Sequence, residues 1–316
     1  MRIELSDTTA SAVRNALIRA SQQMGGLTTG VVLNLIVMTD EGEQYDAMKA
    51  AAQAGREHPC QILGVIARKP RGPRRLDAEI AVGENAPGQI VLLRIYGELN
   101  EHVDSVVTPL LVADTPVVVW WPGTGPLSPS ADPLGVLGQR RITDVAASDD
   151  PPGRLLELAA NYRPGDTDLA WARTTSWRSL LAATLDRPPG EIYEATVGAE
   201  RDNPSAELIV AWLAGRLSIP VRREISDGPG VTEVSFLTDG GKIVISRADG
   251  RNATLSRPGE PDRHVALHRR EIGELIAEEL RRLDPDEVYG EALATLAAAA
   301  EYAARAEAEA ELADEE

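Results

Sequence analysis

Three stretches of the sequence concentrate side chains able to bind or react. Arg68-Lys69-Pro70-Arg71-Gly72-Pro73-Arg74-Arg75 places five cations in eight residues. Guanidinium forks grip carboxylate and phosphate. Arg71, Arg74 and Arg75 are therefore candidate contacts for an acidic partner or a phosphorylated metabolite; the plainer reading is a solvated loop between two strands. Asp168-Leu169-Ala170-Trp171-Ala172-Arg173 runs on into Trp177-Arg178, setting large rings beside bidentate donors as interface hot spots do. Trp171, Arg173, Trp177 and Arg178 are the candidate anchors of a partner interface. Helical spacing draws Trp177 towards the core and leaves Trp171 freer. Trp120-Trp121-Pro122-Gly123-Thr124-Gly125-Pro126 follows an apolar strand, a place where Gly-rich turns hold phosphates. Its glycine spacing stops at Ser128 and Pro129, which suits a rigid loop holding two tryptophans better than a nucleotide site.

Other chemistries find no pattern. Gly240-Gly241-Lys242 reads as a hairpin turn, with no Ser or Thr after the lysine, and no G-x-S-x-G elbow occurs. His264 and His268 share one parity of a strand, but no third metal ligand is signalled. The single cysteine, Cys60, excludes an internal disulfide. It opens a strand and reads as a buried, inert thiol. No catalytic, cofactor-binding or metal-binding residue is assigned from the sequence.

The elements that must position these groups divide the 316-residue chain into two domains and a tail. Residues 1–165 predict an α/β domain around a largely buried mixed sheet. Helices fall at Thr8–Met24, Asp40–Arg56, Glu101–Val112 and Arg154–Asn161, the last returning onto the same layer. Strands fall at Val31–Met38, Ile62–Ala67, Ala78–Val82, Ile90–Tyr96 and Pro116–Trp121. Strands apolar throughout and interleaved with helices imply a sheet covered on both faces. Residues 166–303 predict a smaller α+β domain with an antiparallel sheet and C-terminal helices. Trp177, Leu180, Leu181, Thr184 and Leu185 make one helix face, and Asn203-Pro204 starts another helix. From Val221 to His268 short alternating strands turn at Asp239-Gly240-Gly241 and Asp249-Gly250. Ile272–Leu283 is helical. Asp284-Pro285-Asp286-Glu287 then reads as a cap, an N1 proline and the N3 acid of a capping box. Past Ala304 the apolar stripe fades, and from Glu301 on seven acids face one base. Residues 304–316 are therefore expected to be a frayed or disordered acidic tail.

Charge narrows the partners. With 32 basic and 49 acidic residues the net charge is −17, so nucleic acid and anionic membrane surfaces are repelled. No apolar run reaches the ~18–20 residues of a membrane span, and Met1 to Asp7 lacks the basic and apolar regions of a signal peptide. A cytoplasmic protein is expected. Arginine outnumbers lysine 29 to 3, as a GC-rich genome would produce.

Several segments together carry a family likeness. They are His58–Leu63, Pro109–Leu111 with Val117–Pro122, Asp168–Arg178, Trp212-Leu213-Ala214-Gly215-Arg216-Leu217 and Asp284–Gly290. The chain resembles the glucose-6-phosphate dehydrogenase assembly protein family, OpcA, in its high-GC Gram-positive (actinobacterial) form. The resemblance implies a non-catalytic assembly factor or allosteric activator that binds glucose-6-phosphate dehydrogenase and supports the oxidative pentose phosphate pathway. It implies two domains and transfers no catalytic residue and no cofactor. Cyanobacterial relatives are linked with thiol redox control, from which this chain departs by having only Cys60. The competing reading is an enzyme or sensor that binds a phosphorylated sugar through Arg68–Arg75 or Gly123–Gly125. The lack of a paired acid and base near either loop favours the first.

Overall fold

The computed structural model describes residues 1–23, 30–68, 72–83, 88–186 and 190–314. In chain order its elements are β1 (Arg2–Leu5), α1 (Ala10–Gln23), β2 (Leu33–Thr39), α2 (Gln44–Glu57), β3 (Cys60–Ala67), β4 (Arg75–Val82), β5 (Gln89–Tyr96), α3 (Val103–Val107), β6 (Val117–Trp120) and β7 (Arg140–Thr143). There follow α4 (Pro151–Asn161), β8 (Asp166–Asp168), α5 (Leu169–Ala172), α6 (Thr175–Leu185), β9 (Ile192–Ala199), α7 (Pro204–Leu217) and β10 (Val221–Ile225). The last are β11 (Val231–Thr238), β12 (Gly241–Ser246), β13 (Asn252–Ser256), β14 (Arg263–Ala266), α8 (Ile272–Arg281) and α9 (Glu287–Asp314). They gather into two compact units, one of residues 1–147, 165–169 and 271–285, the other of 148–164, 170–270 and 286–316. This grouping differs from a single cut at 165: α4 joins the second unit, while β8 and α8 join the first.

The continuous apolar runs become the middle of the first unit's sheet, whose order is β1-β4-β5-β3-β2-β6-β7-β8. Pairing is antiparallel at β1/β4 and β4/β5 and parallel from β5 through β8. Adjacent residues on a strand face opposite ways, and both faces are covered. Leu63 and Val65 pack with Val13 and Leu17 of α1 and with Val103 and Val106 of α3. Gly64 between them faces α2. A Cβ there would lie 2.6 Å from Met48 Sδ and 2.7 Å from Leu92 Cδ2, so the glycine sets how closely α2 approaches. Helix α8 packs on α2 and is tied to β7 by a buried ion pair. Arg140 Nε donates to Glu279 Oε2 at 3.0 Å, and Arg140 Nη1 donates to the Asp284 carbonyl at 2.9 Å.

The second unit's sheet runs β10-β9-β11-β12-β13-β14. β9 and β10 are parallel, joined by α7, and the other pairs are antiparallel. Its core joins Trp177 and Leu181 of α6 and Ile209 and Leu213 of α7 to Val197, Val234, Phe236 and Ile245. Helix α9 packs against α7 and α4, so α4, expected on the first sheet, groups with the second unit instead. On the face away from the core, Thr196, Ser235, Val244 and Ser256 form one cross-strand row.

Four further differences have physical causes. The helix expected over Glu101–Val112 breaks into a 3-10 turn, α3 and a second 3-10 turn bearing Pro109, since proline cannot donate within a helix. The sheet of the second unit is mixed rather than wholly antiparallel, because β9 precedes the predicted strands. Asp286, not Asp284, caps α9, its Oδ1 accepting from Tyr289 N at 3.0 Å. That helix continues to Asp314 instead of fading at Ala304.

Candidate functional site

Doubly wound sheets bind ligands where the strand order reverses, beyond the carboxyl ends of the two central strands. Here that pair is β2 and β6: the chain leaves β2 towards β3 and leaves β6 towards β7. In dinucleotide-binding proteins the loop after the first of these strands is glycine-rich, and its N–H groups cradle a pyrophosphate. In this chain the loop is Asp40-Glu41-Gly42-Glu43. Asp40 Oδ1 accepts the N–H groups of Gly42 (2.8 Å) and Glu43 (2.9 Å). The donors that would face a phosphate thus hold the chain's own carboxylate. Asp46 adds negative charge in the first turn of α2, and Glu41 is held by Arg68 at 2.8 Å.

The tryptophan–glycine loop after β6 meets this acidic loop. Trp120 and Trp121 are 1% and 5% exposed, so the rings anchor the turn. Glu43 lies against Gly123, where a Cβ would come within 2.4 Å of its Oε2. The loop's glycine makes room for a carboxylate rather than a phosphate. The sequence pattern after β6 was thus beside the position that decides nucleotide binding, which lies after β2.

Of the predicted interface residues, Trp171 is corrected most sharply. It is 1% exposed. Its Nε1 donates to Asp286 Oδ2 at 2.8 Å, and its ring centroid lies 5.7 Å from that of Tyr289. Arg178 stacks on it with Cζ 3.7 Å from the ring centre and is steadied by donation to Thr174 Oγ1 at 2.9 Å. A surface anchor needs free area, and Trp171 has none. Besides Arg178, its covering residues are Asp286 and Tyr289 at the start of α9, far along the sequence, which local spacing does not register. Trp177 is 2% exposed, in keeping with its helical stripe. It too leaves the set of surface anchors.

Arg173 is half-buried and lines a small recess of about 80 Å³ within the second unit, with Trp177, Arg247, Arg269 and Arg270. Thr174 and Ser176 at the start of α6 line it too, as do Asn203 and Ser205 at the start of α7. Arg247 was not foreseen; it sits on an apolar-patterned hairpin where one arginine carries no signal. The run His268-Arg269-Arg270 was the available clue.

In the basic loop, Arg75 pairs with Asp77 at 2.8 Å and lies over the Tyr96 ring, 5.5 Å from its centre. The exchange raises the Arg75 pKa and holds the Asp77 carboxyl below the usual range, although burial opposes the latter. Arg74 is exposed, as is Arg75. Arg71 lies outside the described residues. Among the described residues, no group of three or more His, Cys, Asp or Glu side chains is placed to hold a metal ion.

The fold and its acidic loop define a class: a doubly wound sheet whose phosphate cradle is replaced by carboxylates, carried with a second unit built on a mixed sheet. Family models fix the family. Residues 51–160 match the glucose-6-phosphate dehydrogenase subunit N-terminal domain and residues 164–293 match its C-terminal domain. The chain belongs to this family, OpcA. No curated protein sequence matches it significantly. Among solved structures it is similar to a 3-ketoreductase from Actinomadura kijaniata in complex with NADP and TDP-benzene, at 12% identity and TM-score 0.48, covering 84% of this chain and 94% of that one. It is also similar to an oxidoreductase from Sinorhizobium meliloti, at 13% identity and TM-score 0.42, covering 86% and 89%.

Proposed function

We propose that the protein is a non-catalytic partner of glucose-6-phosphate dehydrogenase that promotes the enzyme's assembly or activates it, in the cytoplasm, at the entry to the oxidative pentose phosphate pathway. The observation that carries this reading is the match of both parts of the chain to domains of the dehydrogenase-subunit family. The carboxylates around Asp40 and Glu43 support it, since they oppose a bound pyrophosphate at the position where this sheet topology takes one. The same carboxylates weigh against a phosphorylated sugar at Gly123–Gly125, which Glu43 already contacts. With Trp171 and Trp177 buried and Arg173 and Arg178 half-buried, the exposed Arg74 and Arg75 are the predicted contacts most open to an acidic patch on the enzyme. Tagged protein should copurify with the dehydrogenase from its own cells, and Arg74→Glu with Arg75→Glu should reduce the yield. Recovery of no dehydrogenase with the wild type contradicts the reading.

A further inference from the structure

Arg173, Arg247, Arg269 and Arg270 all line one recess of the second unit. Arg247 is 5% exposed, its Cζ lies 5.1 Å from the Trp177 ring centre, and its terminal nitrogens donate to neutral carbonyls. Nη1 donates to the Leu267 carbonyl at 3.1 Å and Nη2 to the Val231 carbonyl at 2.9 Å. Its Nε is buried with no hydrogen-bond partner, and so is Nε1 of Trp177 on the same wall. Two orphaned N–H donors on side chains that line one recess are costly unless an acceptor reaches them, because each has given up its hydrogen bonds to water. Burial and the nearby Arg269 charge push the Arg247 pKa down, while Asp249 acts weakly the other way. Asp249 is itself engaged by Arg251 N, Asn252 N and Asn252 Nδ2. Among the described residues, then, Arg247 is a buried cation with no carboxylate in a salt bridge to it, which is tolerated when an anion supplies the missing charge.

The remaining lining is suited to the same task. The first turns of α6 and α7, helices of 11 and 14 residues, reach the recess through Ser176 and Ser205. Helix N-termini carry partial positive charge. Exposed Arg269 and His268 stand at the lining as well. Ile209 and Val231 add apolar wall beside Trp177, so a phosphate held by the arginines can carry a compact organic group.

We propose that this recess is an anion-binding site for a phosphate group, free or carried on a small phosphate monoester, with Arg247 and Arg269 as its principal ligands. None of its lining residues belongs to the acidic loop after β2 or to the Arg74–Arg75 pair. It stands on the chain alone, so its failure and that of the partner reading are distinguishable.

The test is calorimetric titration of the full chain with inorganic phosphate and, separately, glucose 6-phosphate, at ionic strength matched with chloride, with glutarate as a carboxylate control. Saturable binding of either phosphate is expected, accompanied by a change in tryptophan fluorescence. Tighter binding of glucose 6-phosphate identifies a monoester site, and equal binding identifies free phosphate. Arg269→Ala, at an exposed position, should weaken binding about tenfold or more, roughly 1.4 kcal/mol, without moving the thermal midpoint. Arg247→Met should abolish binding; if that variant does not fold, Arg269→Ala carries the test. Absence of saturable phosphate binding to the wild type, undiminished binding in Arg269→Ala, or glutarate binding tighter than phosphate each overturns the proposal. The last outcome would point to an acidic side chain of a partner protein.

Discussion

Trp171 shows how a residue's neighbours, rather than its own sequence context, decide its role. Beside Arg173 it looks like an interface anchor; against Tyr289, Asp286 and Arg178 it is a structural centre. Trp171→Ala should therefore destabilise by about 3–5 kcal/mol, read as a fall in the urea midpoint. A stable Trp171→Ala variant with impaired partner binding would restore the anchor reading. Cys60 makes a second case. It is fully buried, and burial pushes its thiol up to about 12. Below the ordinary thiol pKa of about 8.5 both native and unfolded states keep the proton, so no pH effect arises. Above it the unfolded chain ionises first, and stability falls by about 1.4 kcal/mol per pH unit until the native thiol titrates. Urea titrations across about pH 8.5 to 10.5 should show this extra slope in the wild type and lose it in Cys60→Ala. Equal slopes in the two proteins would refute the account of a buried, inert thiol.

At the scale of elements, strands β7 and β8 explain both what the sequence conceals and what holds the first sheet's edge. Arg140-Arg141-Ile142-Thr143 does not read as a buried strand, yet all four residues are buried. The charges are tolerated because Arg140 meets Glu279 and Arg141 meets Asp166, both nearly buried carboxylates. Glu279→Gln leaves the buried Arg140 without its counter-charge and should cost about 3–5 kcal/mol, measured by chemical denaturation. A change within experimental error would mean that Arg140 finds another partner. Apolar β2, β3, β5 and β6 were legible because their burial is written in their own composition. Four strands (β1, β7, β8 and β9) were not, since ion pairs, short length or mixed polarity hide them. The same limit governs the candidate sites: arginine runs are visible locally, whereas a recess assembled from α6, α7, the start of β11 and the segments after β12 and β14 is not. The acidic loop after β2 was visible as residues, but its meaning depends on knowing that β2 is the central strand.

At the scale of the whole molecule, a net charge of −17 frames every binding surface. Basic side chains gathered in one place then act as local exceptions, and two such places are Arg74 with Arg75 and the recess around Arg247. The family match assigns the chain to a dehydrogenase-subunit family, and the carboxylates at the switch point oppose the cofactor that such a sheet commonly holds. A regulator works by binding one state of its partner more tightly than another. The most direct measurement is the rate of the cognate glucose-6-phosphate dehydrogenase, titrated with this protein at fixed enzyme concentration. The account predicts that the enzyme's KM falls or its kcat rises and saturates at a fixed stoichiometry, with no hydride transfer by the protein alone. An unchanged rate at every ratio, or turnover by the isolated protein, would contradict it.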